Sequence, residues 1–459
     1  MPNESRRDLH ETAVEALRDQ YRALPADAPI RLAKPTSNLF RFRRPPTGST
    51  LDVSRFCQVI DVDPATATAD VGGMTSYEDL VEATLAHGLM PLVVPQLKTI
   101  TLGGAVAGLG IESSSYRNGL PHESVLEMDV LTGAGEVLRA APDGPNAELF
   151  RAFPNSYGTL GYALRCRIQL EPVRPYVRLR HVRCTGLDGC AAALAEVCDG
   201  GEYLGEPVDF VDGTVFTPNE TYLSLGTFTD TAPDGASDYT GRQIYYRSIP
   251  RCRVDHLKVA DYLWRWDTDW FWCSRAFGAQ HPLVRRLWPK KYLRSDVYRK
   301  LVALDRRYRF SDTVDRLRRR RPAEPVIQDV EVPVRRLAEF CAFFDAEIGI
   351  RPVWLCPLRQ RSNESWPLYP LEPERLYVNV GFWSAVPAAA GDRERSRHNR
   401  MIEDKVTELG GHKSLYSTSY YSEQEFWRLY NGEVYHKIKT EYDPEGRLPG
   451  LFDKCVLGH

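Results

Sequence analysis

Read for where its apolar residues fall, the chain shows three textures in succession. Residues 9 to 24 repeat apolar positions at helical spacing and Pro25 follows as a stop, which predicts an opening surface helix. "RLAKPTSNLFRFRRPP" predicts a short strand entering a polar loop. From 56 to 139 the runs shorten and become β-rich: "CQVIDVDPATATADVGG", a helix in "SYEDLVEATLAHGL", an extended "MPLVVPQLKT", and "VLEMDVLTGAGEVLRA". In the last, valines and leucines alternate on both sides of "GAG", the signature of a hairpin that serves as scaffold. "AELFRAFPNSYGTLGYALRCRIQLEPV" predicts a short helix, a glycine turn and a long strand, with Pro172 and Pro175 marking a boundary. Beyond about 176 the elements lengthen. "HVRCTGLDGCAAALAEVCD" is followed, after an aromatic and basic region, by "VIQDVEVPVRRLAEFCAFFDAEIGIRPVWLCPLR" and "RLYVNVGFW", which predict strand, helix, strand and strand. The reading is α+β, with a first domain over 1–175, a second over 176–410 that includes the aromatic-basic region 242–321, and a closing segment over 411–459. No internal repeat or low-complexity tract interrupts it.

Composition narrows this little: 459 residues, 43% hydrophobic and 26% charged, are ordinary globular values. Lysine plus arginine number 59 against 61 acidic residues, a net charge of −2 that gives no global reason to expect nucleic acid. The ten cysteines show no C-x-x-C pair and no regular spacing, so reduced, buried thiols in a cytosolic protein are expected. The opening "MPNESRRDLHETAVEALRDQYRAL" has no apolar h-region, and no stretch reaches the roughly 20 apolar residues of a membrane span. Any membrane contact is therefore expected to be peripheral.

The chemistry begins at "TLGGAVAGLGIESSSYRNGL", residues 101–120, with its glycines, three consecutive serines and little charge. Glycines let backbone N–H groups approach a ligand, and successive amides can cradle a phosphate. A pair of tight turns is the other use of such spacing, and the commoner one. Neither G-x-x-x-x-G-K-[ST] nor a strand-to-helix G-x-G-x-x-G is present, so a P-loop and a Rossmann site are both excluded. With "VVPQLKTITLGGAVAGLGIESSSYRNGL", the following hairpin and "NSYGTLG", the first domain resembles the two-part FAD-binding (PCMH) domain of vanillyl-alcohol-oxidase-type flavoproteins. The block "GIESS", then "RPVWLCP" and "EFWRLYNGEVYHKIKTEY", resemble the sterol side-chain (Δ24) reductases over about 59–455. "RLAKPTSNLF" and "VVPQLKTITLGGAV" are most similar to the bacterial branch that works with a lipid methyltransferase and reduces a 10-methylene acyl chain on phospholipid to the 10-methyl branch.

That resemblance implies a substrate or cap domain after 175, an active site completed by the closing segment, and FAD held by Thr101, Gly103, Gly104, Gly108, Gly110, Ile111, Glu112 and Ser113. Ser114 and Ser115 are expected on the same wall, and Asn155, Gly158, Thr159 and Gly161 at a second turn. "RLAKPTSNLFRFRR" and the glycine stretch hold no histidine for a covalent tether, so noncovalent FAD is expected, with NADPH as electron source. An isolated C=C bond has no carbonyl to take up charge, so protonation must lead or accompany hydride delivery from reduced flavin N5. This needs an acid and a dry apolar pocket. "SLYSTSYYSEQEFW" and "EVYHK" offer Tyr416, Tyr420, Tyr421, Glu423, Tyr435 and His436. Tyr420, Glu112 and His436 form the acid shortlist, although each tyrosine also fits a core side chain, Glu112 a loop hydrogen bond and His436 a structural role. The middle "DYLWRWDTDWFWCSRAFGAQHPLVRRLWPKKYLRSDVYRKLVALDRRYRF", with "RLRRRRP", interleaves tryptophan with arginine and lysine. A contact with the inner face of a membrane and a tryptophan-rich core face under solvated arginines both fit it; no nucleic-acid module is recognisable, and the family context tips the reading toward lipid. A sterol or polyprenoid alkene reductase, a flavin-dependent alcohol oxidase and a flavin-free lipid-binding protein are the alternatives. Oligomeric state is not readable from these residues.

Overall fold

The computed structural model describes residues 5–26, 28–34, 40–41, 48–308, 323–387 and 396–458. Most of the expected polar loop within 31–46, and the "RLRRRRP" run at the end of the aromatic-basic region, lie outside them.

Helix α1 (Arg6–Arg22) starts at a capping box between Ser5 and Asp8 and buries His10, Ala13, Leu17 and Tyr21, one stripe at helical spacing. The first half then forms a six-stranded sheet: β1 (Val59–Asp63), β2 (Thr68–Gly72), β3 (Leu89–Pro91), β4 (Val125–Leu131), β5 (Val137–Ala140) and β6 (Tyr162–Pro172). The order is β1-β2-β6-β4-β5, with β3 also paired to β6. Strands β4 and β5 are the hairpin expected from sequence, Met128 opposite Ala140. Helix α2 (Tyr77–Leu85) and the short helix α3 (Leu102–Gly108) pack against this sheet, α3 lying over β6 and β2.

The last strand of this sheet ends at Pro172, and β7 (Tyr176–Arg183) opens a second, eight-stranded sheet. Its other members are β8 (Phe210–Thr217), β9 (Glu220–Thr229), β10 (Val254–Lys258), β11 (Ala323–Pro333), β12 (Val353–Leu358), β13 (Tyr377–Pro387) and β14 (His412–Lys413), in the antiparallel order β10-β7-β9-β8-β12-β13-β11-β14. Helix α4 (Gly186–Gly200) follows β7, and α5 (Pro282–Leu287) and α6 (Ser295–Tyr308) lie in the aromatic-basic region. Helices α7 (Leu337–Glu347) and α8 (Arg397–Glu408) join α4 on one face of the sheet. There Val330, Val332, Leu355, Val378, Val380 and Phe382 pack against Leu194, Phe340, Phe344 and Ile402 in one aliphatic and aromatic core. Each such fully buried side chain contributes about 1.5–3 kcal/mol. The other face turns toward the first sheet.

After β14 the chain returns to the first half. Helix α9 (Gly432–Tyr442) places Lys439 Nζ on the carbonyls of Thr159 (2.8 Å) and Leu448 (2.9 Å). Arg447 bonds the carbonyl of Pro25, and its own carbonyl accepts from Ile30 N at 2.8 Å. Lys454 Nζ reaches the Tyr157 carbonyl at 2.6 Å.

Candidate functional site

The first part of the glycine stretch, Leu102–Gly108, is a helix of about two turns where a loop was expected, and its glycines do different work. Thr101 caps α3: its Oγ1 accepts from Gly104 N at 3.3 Å and from Lys34 Nζ at 2.6 Å. At Gly103 a Cβ would stand 2.8 Å from the Gly73 carbonyl oxygen, and at Gly108 2.9 Å from the Tyr157 ring, so these two are bare for packing. Gly104 is exposed, and a Cβ there would stand 2.8 Å from Thr101 Oγ1 and 3.5 Å from Lys34 Nζ. The expected row of free amides is corrected, because Leu102 N and Gly103 N already donate to the carbonyls of Thr75 and Gly73. The surface offered to a ligand is the side-chain-free backbone at Gly104, with the Lys34 ammonium beside it.

Both lie on a cavity of about 1340 Å³, larger than the roughly 300–1,000 Å³ of most small-ligand pockets. Arg31, Lys34 and Arg447 line it, and so does Gln96, a buried amide whose oxygen and nitrogen both lack partners. Gly158 and Gly161 complete this wall, both at positive φ. An elongated anionic cofactor with a heterocyclic ring fits these donors: cations and bare backbone for a pyrophosphate, an unpartnered amide for a ring edge. No histidine is among the described lining residues.

The opposite wall is aromatic. Phe271 packs on Trp383 with centroids 4.3 Å apart and on Trp354 at 5.3 Å, and Phe40 stacks on Trp270 at 5.4 Å. Set into it are two polar residues, Asp329 on β11 and Tyr416 after β14. The Trp383 indole N–H donates to Tyr416 Oη at 2.8 Å. Asp329 sits opposite Gly381 across the ladder, where a Cβ would come 2.5 Å from its Oδ1. Burial pushes the Asp329 carboxyl up to about 7, with Asn379 and Tyr416 opposing the rise. Two residues along, burial raises Glu331 to about 8. Both Glu331 oxygens, Asp329 Oδ1 and both Asn379 side-chain atoms are buried without a strict hydrogen-bond partner.

The residues singled out from sequence separate accordingly. Thr101, Gly103, Gly104, Gly108, Gly110, Ile111, Gly158 and Gly161 line the cavity. Glu112, Ser113, Ser114, Ser115, Asn155 and Thr159 stand behind it. Ser114 Oγ donates to the Leu92 carbonyl, Ser115 Oγ accepts from Glu112 N, Asn155 Nδ2 donates to the Leu368 carbonyl, and Thr159 Oγ1 to the Ser156 carbonyl.

Glu112 is part of a buried clamp. Its Oε1 accepts from Ser113 Oγ at 2.6 Å and faces Arg265 Nη2 at 3.3 Å, and the same guanidinium nitrogen meets Asp212 Oδ2 at 2.7 Å. Trp266 and Trp354 also donate to that Asp212 oxygen, at 3.1 and 3.4 Å. The clamp ties the glycine stretch to the second sheet.

Of the acid shortlist, none lines the cavity. Glu112 lies in the clamp, and the Tyr420 amide binds the Glu403 carboxylate while burial pushes its phenol up to about 12. His436 is exposed, packed on Trp427 at 4.6 Å. Asp329 was missed because an acid alternating with Glu331 through a valine-rich strand reads as a solvent face. The signal was in the partner strand, where "VNVGFW" puts Asn379, Gly381 and Trp383 on that same face. The membrane-facing tryptophans are likewise corrected: Trp264, Trp266, Trp270 and Trp272 are buried. Exposed in that region are Leu283, Val284, Leu287 and Tyr292.

A glycine-faced cavity between an α+β sheet and an aromatic cap suits a flavin-binding redox protein. Residues 14–141 match the family described as FAD binding domain, and the chain is an FAD-dependent oxidoreductase. It is homologous to Delta(24)-sterol reductases. The human protein of that name is 27% identical over 428 residues, 88% of this chain and 75% of the human one. That of Arabidopsis thaliana is 25% identical over 441 residues, 89% and 76%. Cytokinin dehydrogenase 10 of Oryza sativa subsp. japonica is 36% identical over 119 residues, 26% of this chain and 22% of its own.

Proposed function

We propose that the protein reduces an isolated C=C bond in the apolar part of a lipid, with noncovalent FAD and NADPH as electron source. The observation that carries this reading is one continuous cavity with a cation-flanked glycine face and, across from it, an aromatic wall that holds, among the described residues, one carboxyl. Lys34, Arg31, Gly104 and Gln96 would hold FAD, which when reduced supplies a hydride. The chain's own part is to bind, dry and polarise. Phe40, Trp270, Phe271, Trp354 and Trp383 give an alkene an apolar, polarisable surface and keep water from a developing carbocation. The Glu112–Arg265–Asp212 clamp fixes that wall against the glycine side.

Homology to sterol reductases supports alkene reduction and favours a sterol-type side chain. A 10-methylene acyl chain on phospholipid, the product of a lipid methyltransferase, is the second reading, favoured by "RLAKPTSNLF" and "VVPQLKTITLGGAV". Lipid delivery fits the exposed Leu283 and Leu287 of α5, with Arg286 and Lys291 beside them to attract the anionic inner face of a membrane. The next helix, α6, carries Arg299 onto the cavity.

Anaerobic incubation with NADPH and either a Δ24 sterol or phospholipid bearing 10-methylene-octadecanoyl chains, followed by mass analysis, tests the proposal. Gain of two hydrogens by one of them is expected and assigns the substrate class. Flavin that bleaches with NADPH while both lipids stay unchanged overturns the alkene reading.

A further inference from the structure

Resting on that reading, we infer that the Asp329 carboxyl donates the proton to the alkene, with Tyr416 as its positioning residue. Among the described residues lining the cavity, Asp329 is the one carboxylic acid; the other ionisable groups there are arginines, lysines and tyrosines. Its place is built. Gly381 opposite leaves the space that Asp329 Oδ1 occupies, and the Trp383 indole on the same strand donates to Tyr416 Oη. That bond occupies a lone pair of Tyr416 and leaves its O–H to turn toward the carboxyl. The groups acting on Asp329 are Asn379 from β13, Tyr416 from the segment after β14, and its strand neighbour Glu331; no cation is among them. Burial without a counter-charge therefore lifts the carboxyl to about 7, so that a protonated fraction able to donate persists up to neutral pH. The shortlisted Tyr420 and His436 lie off the cavity.

The alkene π pair forms a C–H bond to the Asp329 proton at the less substituted carbon, leaving a carboxylate and a cation at the more substituted carbon. FAD held by Lys34, Arg31, Gly104 and Gln96 would, when reduced, supply the hydride that this cation requires. The carboxylate regains its proton from solvent, and the two electrons come from the nicotinamide donor.

The test uses holoprotein reduced by dithionite under anaerobic conditions and mixed with the alkene. Asp329→Asn is expected to keep its flavin and its reoxidation by oxygen, while reoxidation by alkene slows about 10²–10⁴-fold. Alkene-dependent reoxidation within threefold of wild type overturns the acid role alone. Wild-type flavin that no lipid alkene reoxidises overturns the reductase reading and the acid role together. Infrared titration supplies a readout free of turnover. Asp329 and Glu331 are both expected to give protonated carboxyl bands in wild type; the band that ionises at the lower pH is expected to persist in Glu331→Gln and to be lost from Asp329→Asn, and an Asp329 already ionised at pH 5 overturns the proposal. Should Asp329→Asn not fold, Asp329→Glu keeps an acid there and is expected to retain alkene reoxidation with a displaced pH limb; an unchanged limb speaks against the assignment. Tyr416→Phe removes a group that stabilises the carboxylate, so its limb is expected to move to higher pH, whereas a purely structural tyrosine would leave it in place.

Discussion

The two faces of the eight-stranded sheet are built from the same strands and obey opposite rules. Toward α4, α7 and α8, strands β11, β12 and β13 present Val330, Val332, Leu355, Val378, Val380 and Phe382, and packing is their only task. Toward the cavity, the alternate positions hold Asp329, Glu331, Asn379, Gly381, Trp354 and Trp383. Several of these polar atoms are buried without partners. Unsatisfied buried groups cost free energy, and they persist where a ligand or a reaction uses them. The contrast teaches that burial alone does not separate core from site; what separates them is whether buried polar groups are satisfied.

The sharpest way to break the comparison is to put a charge on the wrong face. Val330→Asp is expected to cost on the order of 4 kcal/mol or more and to abolish cooperative thermal unfolding. Its neighbour Glu331→Gln, on the cavity face, is expected to stay within about 1 kcal/mol by the same melt. Next in size, Gly104→Val places a side chain against Thr101 Oγ1 and Lys34 Nζ, on the glycine face where FAD is proposed to lie. The purified protein is expected to be folded by circular dichroism and colourless, and a fully yellow variant would refute the placement of FAD.

Acidity distinguishes the faces more gently. The Asp329 carboxyl, ordinarily near 3.8, is raised to about 7 in the fold, so the native state binds more protons than the unfolded chain across that window. Stability is therefore expected to fall as pH rises from about 4 to 7, and denaturant titrations of Asp329→Asn should show a flatter profile; identical slopes would mean that Asp329 is already ionised. The smallest energetic effect belongs to the surface. Leu283→Ser with Leu287→Ser should change stability by no more than about 0.5 kcal/mol while reducing flotation with anionic vesicles, and unchanged flotation would remove α5 from the membrane reading.

Much of the fold was legible because strand alternation and helical spacing are local. The opening helix, the hairpin at 125–140 and the strands that became β11, β12 and β13 lie where their patterns put them. Part of the cavity wall was legible too, since the glycines at 103, 104 and 108 that suggested a ligand-facing backbone line it. The acidic end was not. Asp329 and Glu331 look like a wetted edge until β13 and the Tyr416 segment close over them, a pairing set by residues some fifty to ninety positions away. The glycine stretch hid its helix for the opposite reason, because three glycines in seven residues argue against helix and tertiary contacts with Gly73 and Tyr157 override that preference. Tryptophans next to arginines suggested an interface, and Arg265 and Trp266 instead converge on Asp212 inside the protein.

The return of the chain after β14 has a consequence for biogenesis. Gly446, Arg447, Leu448, Lys454 and Gly458 line the same cavity as Gly104, yet they leave the ribosome long after it. Until they arrive, the glycine face is one bank of an open trough. A nascent chain can fold its first sheet and still have no closed chamber to retain a cofactor, so loading waits until the segment from Gly446 to Gly458 has been made and has docked.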